Sequence, residues 1–148
     1  MYKKVIWATD GSQAADLALP HAKTLATEAG GELVVVHCEE LIPPGPHFPR
    51  SPALADEDDV KAKIKRQVDT LVNDGLKTSV QVVSARAGGA AHAIATVARG
   101  ERADVIVVGT RGHTTLSGLL LGSVTHRLLH IAPCPVLAVR AHPHDASS

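Results

Sequence analysis

Short apolar runs that alternate with stretches of helical periodicity constrain the fold of this 148-residue chain more than any other feature. The runs are Lys3–Ala8, Glu32–Cys38, Asp104–Val108 and Pro135–Arg140. Near-continuous apolar runs of this kind are typical of parallel strands that are covered on both faces. Strands that alternate with helices throughout predict an α/β fold: a doubly wound, five-stranded parallel sheet with right-handed crossovers and helices on both faces. Asp104–Val108 is the most apolar run, and we expect it to be central.

The first helix is marked by small apolar residues three and four positions apart. It follows Ser12, a candidate N-cap, and ends at Gly30-Gly31. Its apolar face consists of Ala15, Ala18, Ala22, Leu25, Ala26 and Ala29. Because this periodicity continues past Pro20, we expect a kink there rather than an end.

The middle of the chain predicts a helix over Leu54–Asn73, an edge strand over Thr78–Ala85 and a short helix over Gly88–Gly100. Four consecutive acidic residues, Asp56 to Asp59, fall near the start of the first of these helices. They suit either a metal site or the complement of a helix N-terminus, and we favour the second. The five prolines of Leu41–Pro52 exclude regular structure, so this segment is either a connector or a lid.

Composition excludes several classes of protein. Lys plus Arg equals Asp plus Glu, and aromatic residues make up 2% of the chain, so neither a nucleic-acid surface nor a membrane surface is indicated.

We expect a cytoplasmic protein, because no apolar run approaches the length of a membrane span and the N-terminus lacks the features of a signal peptide. Cys38 and Cys134 have no CxxC spacing, and we expect reduced thiols. Residues 1–141 are expected to form a single domain, and 142–148 a disordered tail.

A glycine-punctuated segment, GTRGHTTLSGLLLGSVT from Gly109 to Thr125, follows the Asp104–Val108 run and precedes an amphipathic stretch. It reads as a strand end, a loop and a helix N-terminus opened by Ser123. Glycine lets a backbone approach a ligand closely or take positive φ, and the first N–H groups of a helix favour phosphate oxygens. The hydroxyls of Ser123 and Thr125 add donors. It is not a Walker A loop, because Ser rather than Lys follows Gly122.

The spacing Gly109-x2-Gly112-x9-Gly122-Ser123 resembles the loop of the ATP-binding subgroup of the universal stress protein family. The resemblance extends over nearly the whole chain and includes the opening ATDGS, the strand end VVVHC, the strand end VVGTRG and the closing PCPVLAVR. It implies a Rossmann-like sheet with strand order 3-2-1-4-5. It also implies an ATP-binding module that acts in stress response or signalling, with Mg²⁺ bound together with ATP.

Carried over residue by residue, the resemblance implies that an adenine nucleotide lies between two turns. Ala8, Thr9 and Asp10 would line the base and ribose side, and the backbone of Cys38 would contact adenine. Around the triphosphate the resemblance places Gly109, Thr110, Arg111, Gly112 and His113, followed by Gly122, Ser123, Val124 and Thr125. Independently, the ligand of a doubly wound sheet is expected at the carboxyl ends of the strands where the winding reverses.

Asp10 has three interpretations: a hydrogen-bond acceptor for ribose, a magnesium ligand, or a helix cap. We favour contact with the ligand, because the turn after the first strand should open on the switch point. His126 and His130 lie one turn apart, and His142 and His144 lie in the tail. Without an HExxH motif or a cysteine partner, we interpret all four as exposed histidines rather than as metal ligands.

No nucleophile, base and orienting group are evident together, so binding is better supported than catalysis. A slow ATP hydrolase or phosphotransferase is the alternative enzyme hypothesis. A dimeric interaction module that binds another anion is a third. The apolar strand Pro135–Arg140 is expected at a sheet edge, where unpaired backbone groups invite a partner strand, and relatives in the resembled family pair similarly. A homodimer through this strand is therefore predicted.

Overall fold

The computed structural model describes residues 2–41, 52–86, 88–110 and 122–140, and for 52–56 it describes the helical backbone alone. These residues form five strands and four helices in strict alternation. In chain order they are β1 (Lys4–Ala8), α1 (Gln13–Glu28), β2 (Glu32–Leu41), α2 (Pro52–Asn73), β3 (Lys77–Arg86), α3 (Ala90–Glu101), β4 (Val105–Gly109), α4 (Ser123–Ile131) and β5 (Val136–Val139). The tail 142–148 and most of Leu41–Pro52 lie outside the described residues.

The sheet is parallel throughout and has the order β3-β2-β1-β4-β5, which confirms the predicted fold class and strand order. Ile6 of β1 pairs with Val34 of β2 and with Ile106 of β4. The chain winds outward from β1 through β2 to β3, then returns to the other side of β1 for β4 and β5. The winding therefore reverses between β1 and β4. The middle strand is β1, whereas β4, predicted to be central, is the interior strand beside it.

Both faces of the sheet are buried, because alternate side chains of each interior strand serve different layers. Val5 and Trp7 of β1 belong to a core shared with α1 and α2. Ile6 and Ala8 belong to a second core shared with α3 and α4. Trp7 is fully buried, and its indole N–H donates to the carbonyl of Ala15 at 3.0 Å. Two-sided burial thus explains the aliphatic runs of the interior strands, whereas β5, at the sheet edge, is only partly buried.

Helix α1 begins where its cap was predicted. The hydroxyl of Ser12 accepts a hydrogen bond from the amide of Ala15 at 3.2 Å, which satisfies one of the N–H groups that a helix start leaves unpaired. The helix continues through Pro20. Its buried residues, Ala15, Ala18, Ala22 and Ala26, are all alanines. Such small side chains let the helix lie close to the strands beneath it.

Helix α2 begins at Pro52, earlier than predicted, and this overturns the interpretation of the acidic cluster. The first turn of α2 contains no acidic residue, so Asp56 to Asp59 do not complement the helix N-terminus. Proline is favoured at the first helical position because its missing N–H costs nothing there. One member of the cluster, Glu57, instead contacts His37 of β2.

An ion-pair group joins the amino ends of β1, β2 and β3 to the carboxyl end of α3. Lys4 contacts Glu32 directly and lies 3.2 Å from a carboxylate oxygen of Glu101, while Lys77 lies 3.2 Å from Glu32. Hydrogen bonds from Lys4 and then Lys77 lower the pKa of the Glu32 carboxyl, and the bonds to Glu32 and Glu101 raise the pKa of Lys4.

In the described ranges, no helix is both long and apolar enough to cross a membrane.

We predict that Glu32→Gln lowers the free energy of unfolding by about 0.5–1 kcal/mol at pH 7, because it removes the carboxylate that pairs with Lys4 and Lys77. The loss is small because the ion-pair group is partly exposed and solvent screens it. A carboxyl whose pKa is lowered by folding stabilises above its ordinary pKa, and that contribution disappears as the pH falls through the lowered value. The gap between variant and parent should therefore close in acid. Urea unfolding at pH 7 and pH 3 measures both values.

Asp74→Asn is the control for that prediction, because Asp74 pairs with Lys23 at 2.7 Å where both side chains are more than 40% exposed. It should change the free energy of unfolding less than Glu32→Gln does. Equal losses in the two variants, or a Glu32→Gln loss that persists in acid, would contradict the assigned role of Glu32.

Candidate functional site

The turn after β1 is held in place from two sides. The amide of Thr9 donates to the carbonyl of Val36 at 2.9 Å, which continues the pairing of β1 with β2 beyond Ala8. The Thr9 hydroxyl accepts from the amide of Gly11 at 3.1 Å, and the Asp10 carboxylate accepts from the amide of Ser12 at 2.9 Å. Thr9 is buried, whereas Asp10 is exposed. Since Ser12 is the N-cap of α1, Asp10 braces the turn and is not itself the cap.

Gly11 is required in this turn for two physical reasons. Its φ of +80° lies in the left-handed region that favours glycine, and a Cβ there would lie 2.9 Å from a methyl of Val60 on α2. The ammonium of Lys63 donates to the Gly11 carbonyl at 2.9 Å and to Asp16 at 2.6 Å. Helix α2 thus fastens the start of α1, an arrangement that the sequence pattern did not reveal because it joins positions about fifty residues apart.

The end of β4 meets the start of α1 at Gly109. A Cβ on Gly109 would lie 2.5 Å from the carbonyl oxygen of Ala14, closer than real Cβ contacts come. This glycine is therefore needed for close packing of a strand against a helix. Its φ is not positive, so the conformational reason for a glycine does not apply. The next residue, Thr110, is buried, and its amide donates to the carbonyl of Val139 at 3.1 Å.

Helix α4 begins beside the end of β4. The amide of Gly122 donates to the Thr110 carbonyl at 2.5 Å, so the residues on either side of 111–121 are in direct contact. Gly122 is the N-cap, with φ −54° and ψ 148°, and it makes no side-chain cap. Ser123 is the first helical residue, which confirms the prediction that it opens this helix, and its side chain is exposed.

The first turn of α4 leaves backbone donors at this position. The first intrahelical bond runs from the amide of His126 to the Gly122 carbonyl at 2.9 Å, and the preceding amides have no intrahelical acceptor. The Thr125 hydroxyl was predicted as a further donor to a ligand. It is buried and donates instead to the Gly109 carbonyl at 2.9 Å, which ties the helix to the end of β4.

Nine of the predicted site residues are therefore brought to two adjoining regions. Ala8, Thr9 and Asp10 end β1, and Gly109 and Thr110 end β4, beside Gly122, Ser123, Val124 and Thr125 at the start of α4. Cys38 lies in the neighbouring strand β2 and is half-buried. Burial, then the charges of Glu40, Glu39 and Glu57, raise the pKa of its thiol. Arg111, Gly112 and His113 lie outside the described residues.

A buried histidine connects β2, β1 and α2 at the same end of the sheet. Nδ1 of His37 lies 2.9 Å from the Thr9 carbonyl oxygen, and Nε2 contacts the carboxylate of Glu57. A carbonyl can only accept, so Nδ1 carries a proton. Nε2 then either donates to the Glu57 carboxylate or accepts from its protonated form. His37 lies within β2, which continues to Leu41, and not at the strand end VVVHC that the sequence predicted. The contact with Glu57 was not predicted, because no local pattern pairs residues twenty positions apart.

A cavity of about 600 Å³ lies at the opposite end of the sheet, between the C-termini of α1 and α2, and is lined by residues that include Lys3, Gly30, Glu32, Gly75 and Lys77. Ligands of doubly wound sheets bind at the carboxyl ends of the strands, so this position does not fit a nucleotide. Within the described parts of the chain, no three His, Cys, Asp or Glu side chains are grouped as metal ligands.

This chain is similar to known proteins of one family. The model of the universal stress protein family matches residues 1–140. A universal stress protein of Thermus aquaticus, from the 3' region of the QAH/OAS sulfhydrylase gene, is 37% identical over 142 residues, which are 95% of this chain and 100% of that protein.

Solved structures are also similar to this chain. The structure of MJ0577 of Methanocaldococcus jannaschii matches with a TM-score of 0.80 and 29% identity, over 96% of this chain and 98% of that one. The universal stress protein of Archaeoglobus fulgidus in complex with dAMP matches with a TM-score of 0.63 and 25% identity, over 93% and 97%.

We predict that Glu57→Ala lowers the free energy of unfolding by about 1–3 kcal/mol, because it leaves a buried ring nitrogen of His37 without its partner. Glu57→Gln should cost less, since an amide N–H can donate to Nε2 of a neutral His37. Asp58→Ala, a change at an exposed neighbour, should have almost no effect. Urea unfolding of the three variants gives the order. If Glu57→Ala is as stable as Asp58→Ala, the contact does not contribute to stability.

Proposed function

This chain belongs to the universal stress protein family, and we propose that it binds an adenine nucleotide, ATP together with Mg²⁺, between the ends of β1 and β4. In this proposal the bound nucleotide marks the state of a stress-response or signalling module. We also propose that residues 1–141 act as one domain, and that the protein is cytoplasmic.

The observation that carries the proposal is that the turn after β1 lies beside the end of β4, where the sheet reverses its winding. The Ala8-Thr9-Asp10 turn follows the middle strand, and the Gly109-Thr110 end follows the strand beside it. The Gly122 amide and the Thr125 hydroxyl attach the start of α4 to that second strand end. In doubly wound sheets this crevice is where nucleotides bind.

The start of α4 supplies the chemistry that phosphate requires. The amides of Ser123, Val124 and Thr125 precede the first intrahelical bond, and the helix dipole places partial positive charge there. The Ser123 side chain is exposed and available as a hydroxyl donor. The Gly122 and Thr125 donors already have partners within the protein, so we assign backbone amides and Ser123 to the β- and γ-phosphates.

The base and ribose are assigned to the β1 side. Ala8 and Thr9 end the middle strand, and the backbone of Cys38 in β2 would contact adenine. The raised pKa of the Cys38 thiol keeps it protonated and neutral, which suits an adenine ring. The Archaeoglobus fulgidus relative in complex with dAMP supports adenine as the base.

Mg²⁺ would be held mainly by phosphate oxygens, as is usual for an ion that prefers oxygen and retains water. Asp10 is the oxygen ligand that the turn offers, because its carboxylate is exposed at the mouth of the crevice. When bound, the ion neutralises phosphate charge. Arg111, Gly112 and His113 remain predicted phosphate neighbours from the sequence resemblance.

Binding is favoured over catalysis because the described site contains donors without a placed general base. Asp10 is engaged with the Ser12 amide, and the His37 ring is buried between Thr9 and Glu57. A slow ATP hydrolase or phosphotransferase is the alternative, and a module that binds another anion is the third candidate.

We predict that Ser123→Ala weakens Mg-ATP binding roughly 10- to 100-fold, since a hydrogen bond to a charged group is worth about 1.5–3 kcal/mol. Gly122→Val should weaken binding more, because its side chain would stand where backbone approaches phosphate. The backbone angles of Gly122 are ones that valine adopts, so the variant should remain folded. Circular dichroism checks folding, and calorimetry measures affinity. A folded Gly122→Val protein that binds ATP as tightly as the parent would refute the phosphate assignment.

We predict little or no ATP turnover, because none of the site residues that the structure describes is positioned to activate water. Phosphate release in the presence of Mg²⁺ should be slow compared with ordinary enzymes, whose turnover is about 10 per second. Release at that rate, abolished by Asp10→Asn with binding intact, would establish a catalytic role and favour the hydrolase alternative.

We predict a homodimer through the Pro135–Arg140 strand. Its core, β5, lies at a sheet edge, and Leu137 on β5 is 38% exposed. An edge strand presents unpaired backbone groups to a partner, and Leu137→Lys should separate the subunits. Light scattering at micromolar concentration measures the mass. A parent protein that is monomeric, or a Leu137→Lys variant of unchanged dimeric mass, would contradict the prediction.

A further inference from the structure

Two histidines on the outer surface of α4 lie in contact with each other. His126 and His130 are both exposed, and their ring centres are 5.1 Å apart with an angle of 75° between the planes. Positions four apart lie on the same side of a helix, one turn above the other. The sequence predicted two exposed histidines one turn apart, and their exposure is confirmed. The structure pairs them.

We propose that His126 and His130 form a binding site for a divalent transition-metal ion such as Zn²⁺. Imidazole nitrogen is a preferred ligand of Zn²⁺, Ni²⁺ and Cu²⁺, whereas Mg²⁺ and Ca²⁺ prefer oxygen. The ion would bridge one ring nitrogen of each histidine, and water would complete its coordination. This site is separate from the proposed nucleotide site and does not depend on it.

The separation of the rings fits a shared ion. Two imidazoles that bind one tetrahedral ion through nitrogens about 2.1 Å away have ring centres roughly 5 Å apart. The observed separation of the ring centres, 5.1 Å, is close to this value. The pairing of two histidines at i and i+4 on a helix is also the spacing that helical zinc motifs use.

The helix dipole favours a cation at this pair, and the positive charge of Arg127 opposes it. His130 lies in the last turn of α4, where the helix dipole favours positive charge. Arg127 is exposed next to His126, and its positive charge would repel the metal ion. Adjacent helical positions do not face each other, however, so this repulsion is weak. The helix is anchored on its inner side by Leu128, which is fully buried, and by Thr125. The two histidines are therefore held on a fixed frame.

The test is a Zn²⁺ titration by calorimetry on the full chain, free of any affinity tag. All proteins carry His142→Gln and His144→Gln, so that the tail histidines do not contribute. We expect one saturable Zn²⁺ site for each chain. His126→Gln and His130→Gln should each weaken it by at least the roughly 10-fold that loss of even an outer-shell partner costs a metal site.

Two controls separate the paired geometry from histidine content. His92→Gln removes an exposed histidine of α3 and should leave Zn²⁺ affinity unchanged. Arg127→His combined with His130→Gln keeps two histidines on α4 at adjacent positions, which do not face each other, and it also removes a positive charge. This variant should bind Zn²⁺ much more weakly than the parent, although its histidine count on α4 is the same. All substituted positions in α3 and α4 are exposed, so circular dichroism should confirm folding in every case.

The proposal is overturned by absence of a saturable site in the parent, by unchanged affinity in His126→Gln or His130→Gln, or by parent-like affinity in the rearranged variant. Neither Mg²⁺ nor ATP is present in these titrations, so the result is independent of the proposed nucleotide function.

Discussion

The site depends on one close contact, the approach of Gly109 to the first turn of α1. No Cβ fits between this residue and the Ala14 carbonyl, so a glycine lets β4 end directly beside the helix that follows β1. The Gly109 carbonyl also accepts the Thr125 hydroxyl, which holds the start of α4 at the same point. A strand end and two helix starts are thereby joined through one small residue. The crevice between β1 and β4 follows from that contact.

The rest of the fold keeps this contact rigid. Because the sheet is buried on both faces, a shift of β4 relative to β1 would disturb two cores at once, one containing Trp7 and the other Ile6. Lys63 and the His37–Glu57 contact attach α2 to the same end of the sheet. The exposed groups, Asp10 and Ser123, are thus carried on a fixed scaffold, as a binding site requires.

The sequence predicted what depends on local pattern. Apolar runs identified the strands, the Ser12 cap identified the start of α1, and the alternating strand Thr78–Ala85 was correctly assigned to a sheet edge. Errors arose where partners are distant in the chain. The acidic cluster was assigned to a helix start because it lies near the predicted start of α2. The contact of Glu57 with His37 has no local signature, so the sequence did not predict it. Gly109 and Thr125 remain predicted ligand contacts, and the structure adds roles that the sequence did not predict: close packing of Gly109 against α1 and an internal hydrogen bond from Thr125. The start of α4 at Ser123 was predicted correctly.

The central claim is that an adenine nucleotide lies at the carboxyl ends of β1 and β4. Backbone amide NMR of labelled protein titrated with Mg-ATP tests this most directly, because it reports position as well as binding. The account predicts that saturable shift changes centre on Thr9, Cys38, Ser123 and Val124. Changes centred instead on Gly30, Gly75 and Lys77, which line the cavity at the opposite end of the sheet, would contradict it, as would a spectrum that ATP leaves unchanged.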